Sequence, residues 1–214
     1  FKKELHDFAL LLEKRMRNAG VTIHTGTTAT AEHIRAASPD ALVIAAGAKP
    51  FVPTIPGIDR DLVLLPEAAE RNAAQLPGDI VIIGGGLIGC ETAISLGMQG
   101  KKVTVVEMRE RLAPEANDFH RMALEQQLQQ YVTPLVRTSV CEILDGGVLC
   151  RGEGGEEIRL TAGAVVLAAG LRADAGAVQE LSGLAGECYV VGDCVRPAQV
   201  LQAVSQAYYT AREI

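Results

Sequence analysis

Apolar side chains recur along this chain in two rhythms, and the points where one gives way to the other mark its elements. Over residues 1–19, Leu5, Phe8, Leu11, Leu12 and Met16 follow a helical spacing that Gly20 ends. Val21, Thr22, Ile23 and His24 read as a strand, and residues 40–45 as a buried strand running into Ala46-Gly47-Ala48. Three prolines between positions 49 and 56 impose an extended connection, because proline fixes φ and withholds a donor. Residues 66–75 predict a short helix, closed by the turn Pro77-Gly78.

A fresh strand–turn–helix unit follows. Ile80-Val81-Ile82-Ile83 has no polar break, as in a sheet buried on both faces. Residues 84–100 read as a Gly-rich turn and a helix, and residues 102–107 as a second strand. Residues 114–131 are expected to be helical, with Phe119, Met122, Leu124 and Leu128 in the core. Between 135 and 160, short β-prone runs broken by Asp145-Gly146-Gly147 and by glycines at 152–155 predict antiparallel hairpins. Residues 164–168 form another apolar strand, residues 188–191 the last one, and residues 197–214 a closing helix. The segments 42–48 (Leu-Val-Ile-Ala-Ala-Gly-Ala) and 165–171 (Val-Val-Leu-Ala-Ala-Gly-Leu) nearly repeat each other on either side of the Gly-rich unit. That layout predicts one domain interrupted by another, with paired crossover strands at the seam.

Composition narrows the classes. Of the 214 residues, 48% are apolar and 21% charged, a globular balance with a real core, and the formal net charge of −6 gives no reason to expect nucleic acid or an anionic membrane as partner. No apolar run reaches the length of a membrane span. The first residues carry no signal-peptide core and no initiator Met, so a processed or truncated cytoplasmic product is expected. The cysteines at 90, 141, 150, 188 and 194 form no C-x-x-C pair, and the four histidines have no ligand spacing. No metal site is therefore expected, and no general acid or nucleophile is nominated as a catalytic residue. Cys188 and Cys194 read as small apolar residues around a strand end, with a redox pair as the alternative.

The chemistry concentrates at Gly84-Gly85-Gly86-Leu87-Ile88-Gly89, which fits G-x-G-x-x-G. An apolar strand precedes it, a helix follows, and the next strand ends in Glu107, 23 residues beyond Gly84. Gly84 permits the tight turn, Gly86 lets a pyrophosphate approach the backbone, and Gly89 allows close helix–strand packing. The helix N-terminus then holds the phosphates. Glu107 is expected to accept both ribose hydroxyls of NADH. It would repel the 2′-phosphate of NADPH by about 4 kcal/mol per charge pair at ~4 Å and an effective dielectric of ~20. Arg109 and Arg111 soften that repulsion, and NADH is the expected cofactor.

A second set of residues points to a flavin. Val190-Val191-Gly192-Asp193 ends a strand with a carboxylate placed to accept a ribitol hydroxyl, and the helix after it directs its positive end at an isoalloxazine. A turn or cap role for Asp193 is the alternative. Ala46-Gly47 and Ala169-Gly170 complete the set of expected cofactor contacts. With these motifs in this order, the chain resembles the pyridine-nucleotide-disulfide oxidoreductase superfamily of flavoproteins. The string Gly84 to Ala93 and the string Val191-Gly192-Asp193-Cys194 are similar to the C-terminal part of NADH:flavin oxidoreductases of the 2,4-dienoyl-CoA reductase type. The resemblance implies that Glu91 lies near the nicotinamide, a structural helix carboxylate being the alternative, and that NADH reduces FAD. It also implies a missing N-terminal (β/α)8 barrel carrying FMN and a 4Fe-4S cluster. The family's own FAD fingerprint is not supplied before Phe1, so FAD is expected in the full-length protein, and this chain alone is expected to be colourless or weakly yellow. The expected fold is α/β, with a Rossmann-like NAD(P)-binding domain (77–162) inserted into an incomplete FAD-binding, Rossmann-like domain (1–76 and 163–214). Two other readings stay open: an NADH oxidase or ferredoxin-reductase-like component without a barrel, and a non-catalytic NADH-binding module.

Overall fold

The strands that the sequence makes wholly apolar lie at the centre of the main sheet. The computed structural model describes residues 3–214 of the chain. In chain order it contains α1 (Lys3–Asn18), α2 (Ala31–Ala37), β1 (Ala41–Ile44), β2 (Ala48–Pro50), β3 (Val63–Leu64), α3 (Pro66–Arg71), β4 (Asp79–Ile83) and α4 (Leu87–Met98). There follow β5 (Lys102–Val106), α5 (Asp118–Tyr131), β6 (Val132–Leu135), β7 (Thr138–Leu144), β8 (Gly147–Gly152), β9 (Glu157–Thr161), β10 (Ala164–Leu167) and β11 (Leu171–Ala173). The chain closes with α6 (Ala175–Leu181), β12 (Glu187–Val190), a 3-10 turn (Gly192–Cys194) and α7 (Val200–Thr210).

Two compact units form, one from the chain up to Gly47 together with Asp174–Ile214, the other from Ala48–Ala173. The second is the larger. Its parallel sheet has the order β3-β10-β4-β5-β6, and a separate antiparallel sheet has the order β7-β8-β9. Alternate residues of the parallel strands serve two cores. Ile80, Ile82, Val103, Val105 and Val166 pack with Cys90, Ala93, Ile94 and Leu96 of α4 and Leu124 of α5. Val81, Ile83, Val106, Val165 and Leu167 pack with Ile143, Val148 and Cys150 of the antiparallel sheet. A strand covered on both faces has no position left for a polar residue, which is why β4 and β10 carry none beyond Asp79.

The limits of the compact units differ from the domain limits expected from the sequence. They fall at 47/48 and 173/174, not at 76/77 and 162/163, because β10 pairs in parallel with both β3 and β4 and so joins the central sheet. The two near-repeats also part company: β1 pairs with β12, whereas β10 pairs with β3 and β4. What does pair is the chain just after each Ala-Ala-Gly, β2 with β11, antiparallel.

The smaller unit holds the two-stranded parallel sheet β1–β12 and a cluster of Ile44, Leu181 and Cys194 with Ile34, Leu42, Val178 and Cys188. Residues 21–24 form no strand; Val21 is half exposed, and an extended segment without a ladder partner is not a strand. Helix α1 forms as its spacing predicts, yet Leu5, Phe8, Leu11, Leu12 and Met16 all stay exposed. In α5, Phe119 is 89% and Met122 72% exposed, while Leu124, Leu128 and Tyr131 face the core. At about 100° per residue, 119 and 122 point away from the face shared by 124, 128 and 131. The core assignment of Phe119 and Met122 is thus corrected. The helix also begins at Asp118, capped by the Asn117 side chain, instead of at Pro114.

Two substitutions test this layering. Ile82→Ala, in the central strand, is expected to lower unfolding free energy by about 2–5 kcal/mol in urea titrations. Phe119→Ala is expected to change it by less than about 0.5 kcal/mol.

Candidate functional site

The Gly-rich turn sits between β4 and α4, and its glycines meet different demands. Gly84 has φ 104° and its missing Cβ would strike Ala168 O; Gly85 faces Leu112 and the Glu107 Cβ; Gly89 faces Gly84 O. These three are required by the protein's own packing. Gly86 is not. Its φ of −71° suits any residue, and an added Cβ would meet only the mobile ends of Glu115, at 3.0 Å, and Arg109, at 4.0 Å. Gly86 is also the N-cap of α4 and supplies no side-chain cap, so the first backbone donors of the helix are left to groups from outside its own turn. Ile88 is exposed and Leu87 packs against the core below.

Glu107, the first residue after β5, is 5% exposed. Its carboxylate accepts from Gly85 N (2.7 Å), Arg109 N (2.8 Å), Arg109 Nε (3.0 Å) and Arg109 Nη2 (3.3 Å). Burial pushes the Glu107 pKa up, but the Arg109 guanidinium and the two backbone N–H groups outweigh it and hold the carboxyl below the ordinary glutamate range. The residue thereby ties the strand end to the glycine turn. Its own backbone is tied too: its N–H donates to Leu135 O, and its carbonyl accepts from Thr138 N.

The loop after Glu107 folds back over the turn. Ala113 N donates to Gly85 O at 2.7 Å from a residue with φ 41°, and Glu115 Oε1 accepts from Leu87 N at 2.7 Å. Arg109 Nη1 lies 3.8 Å from Glu115 Oε2. A cleft of about 500 Å³ opens beside these groups, lined by Gly84, Gly86, Glu107, Arg109, Ala169 and Gly170 among the expected residues. Phe51, Met108, Glu115, Thr138 and Val140 line it as well. Sequence spacing could not find these, since they come from loops and a second sheet; Arg172 stacked on Phe51, with its guanidinium carbon 3.9 Å from the ring centroid, adds a charge at that wall element.

Other expected residues lie elsewhere. Glu91 is on α4 with its carboxylate 3.7 Å from His120 Nε2 of α5, outside the residues that line the cleft. Cys90 beside it is fully buried, its thiol pushed up to about 12 by burial first and by Glu115 second, so it is no nucleophile at neutral pH. Ala46, Gly47, Gly192 and Asp193 belong to the other unit. There Asp193 Oδ1 accepts from Ala198 N at 3.1 Å and Gly192 N donates to Gln206 Oε1 at 2.7 Å, while Gly47 and Gly192 both have positive φ. Cys194 donates to Val191 O and Ile44 O. Among the described residues no cluster of metal-ligating side chains occurs, and no helix is long and apolar enough to cross a membrane.

A parallel sheet, a helix that starts behind a four-glycine turn and an acid at the end of the next strand define a dinucleotide-binding Rossmann unit. Residues 31–207 match the pyridine nucleotide-disulphide oxidoreductase family, and the chain belongs to that family. It is 33% identical over 219 residues to an NADH oxidase of Thermoanaerobacter brockii, covering 100% of this chain and 34% of the relative. It is 35% identical over 217 residues to a bilirubin reductase of Mediterraneibacter gnavus, covering 98% and 33%. A solved 2-naphthoyl-CoA reductase in complex with 2-naphthoyl-CoA superposes with a TM-score of 0.88 at 30% identity, over 94% of this chain and 31% of the other. The chain thus spans about a third of the length of the relatives it matches.

Because the folded Glu107 carboxyl titrates below its unfolded value, its contribution is complete above about pH 4.3 and is lost as pH falls through the lower, folded value. Glu107→Gln is accordingly expected to cost on the order of 2 kcal/mol at neutral pH, with the gap to wild type closing in urea titrations below about pH 4.

Proposed function

We propose that this chain is the pyridine-nucleotide-binding portion of a flavin-dependent NADH oxidoreductase. The observation that carries the reading is Gly86: a glycine that neither its φ nor its neighbours require, placed where a pyrophosphate would touch backbone. The adjoining donors fit the group. Leu87 N–H at the start of α4 faces outward to an anion, here the Glu115 carboxylate, and the Arg109 guanidinium stands beside it. Glu107 would turn toward the ribose by exchanging the two guanidinium bonds for two hydroxyl bonds while keeping Gly85 N–H. That exchange supports NADH over NADPH, whose 2′-phosphate would face the same carboxylate.

When bound, NADH supplies a hydride and FAD accepts it. For the flavin, Asp193 keeps one oxygen without a partner among the described residues, fit to accept a ribitol hydroxyl, and Ala46-Gly47 of the same unit would approach the ring system, while Ala169-Gly170 line the dinucleotide cleft of the larger unit. Glu91 would serve as the residue nearest the nicotinamide. The remaining two thirds of the parent protein, of which the relatives' lengths are the support, is read as a cytoplasmic N-terminal barrel with FMN and a 4Fe-4S cluster that reduces an unsaturated substrate. The exposed apolar stripe of α1 is in keeping with a chain that packs against more protein than is present.

Calorimetric titration of NADH and NADPH into wild type and Gly86→Val tests the site. The wild type is expected to bind NADH more tightly than NADPH, and the variant to lose at least about tenfold in affinity with its melting temperature retained. Equal affinity of the two proteins for NADH would sink the assignment.

A further inference from the structure

The Gly-rich turn is capped by a side chain from outside its own strand–turn–helix unit. Glu115 reaches back 28 residues in sequence to accept the Leu87 N–H at 2.7 Å, and it is the nearest group to the space above Gly86. It is aimed there. Ala113, an alanine in the left-handed region (φ 41°) and fully buried, bonds to Gly85 O and reverses the loop so that position 115 returns over the turn. Arg109 completes a charge chain, with its guanidinium bonded to Glu107 on one side and 3.8 Å from Glu115 on the other. We propose that Glu115 is an intramolecular plug: its carboxylate takes the place of a pyrophosphate oxygen on the α4 N-terminus, and dinucleotide binding requires its displacement. The inference rests on the dinucleotide reading above and goes beyond it by giving the loop a regulatory part.

The physical argument is one of substitution. A carboxylate and a phosphate compete for the same donor and for the same guanidinium, and both cannot sit within contact of one N–H without like-charge repulsion. Displacement of Glu115 leaves Arg109 free on that side, so the arriving pyrophosphate inherits a partner that is already in position. Affinity for dinucleotide is then set by the difference between two anions at one seat, and the loop at 108–116 tunes it. A merely structural carboxylate has the opposite consequence. If Glu115 only stabilised the loop that shapes the site, its removal would loosen the cleft and weaken binding.

The sign of the effect decides between them. NADH is titrated calorimetrically into wild type, Glu115→Gln and Glu115→Ala at equal ionic strength, with far-UV circular dichroism checking that the fold is kept. The plug predicts that Glu115→Gln and Glu115→Ala bind NADH more tightly than wild type, by about tenfold, the worth of one charge-assisted hydrogen bond at a half-exposed site. The alanine variant guards against an amide that merely re-forms the contact. Wild type that binds NADH while both variants bind it equally or more weakly overturns the plug and leaves the dinucleotide site standing. No NADH binding by any of the three proteins removes the dinucleotide reading and the plug together.

Discussion

The buried carboxylate of Glu107 is the contact on which the site's geometry depends. Its oxygens take the Gly85 N–H from one strand's exit and three N–H groups of Arg109 from the next. A charge 5% exposed is tolerable only with every lone pair met, and here the partners are two backbone donors and a guanidinium. The consequence is positional. The turn cannot drift from the end of β5 without stranding a carboxylate, so the helix that follows starts at a set place. Glu107 also links to Leu135 and Thr138 through its backbone, which brings the entry of the antiparallel sheet to the wall of the cleft.

Within that frame the glycines divide by cause. Gly84, Gly85 and Gly89 answer to the chain's own atoms: a carbonyl of Ala168, the side chains of Leu112 and Glu107, and a carbonyl of Gly84. Gly86 answers to nothing in the chain except two flexible side-chain tips. Its smallness has no internal cause in backbone conformation or in a packed neighbour. The same reasoning separates Glu107 from Glu91, both carboxylates near the turn in sequence. One closes on the turn itself; the other leans on His120 of the neighbouring helix.

Much of the larger unit was legible because burial on both faces leaves a plain record. Ile80–Ile83 and the run at 164–167 could be nothing but central strands, and the acid expected at the end of the second strand does follow β5. The record fails where one face is free. Phe119 and Met122 are as apolar as Leu124, yet only a helical wheel tied to a known neighbour tells which of them turns inward. The strand expected at residues 21–24 failed for a related reason, since β-prone residues make a strand only with a partner to bond.

The amino-acid sequence by itself determined the local chemistry: an α/β chain, a glycine turn feeding a helix, and an acid at the next strand end. These are consequences of steric freedom and periodicity, which act over a few residues. Tertiary structure alone decided which strands share a sheet, hence that β1 and β10, the strands that open the near-repeats at 42–48 and 165–171, belong to different sheets. It also decided that Glu107 is clamped by Arg109 and that Glu115 lies on the helix start. Contacts across 28 residues depend on where a loop returns in space, and that path is set by the packing of the whole unit, which no spacing along the chain encodes.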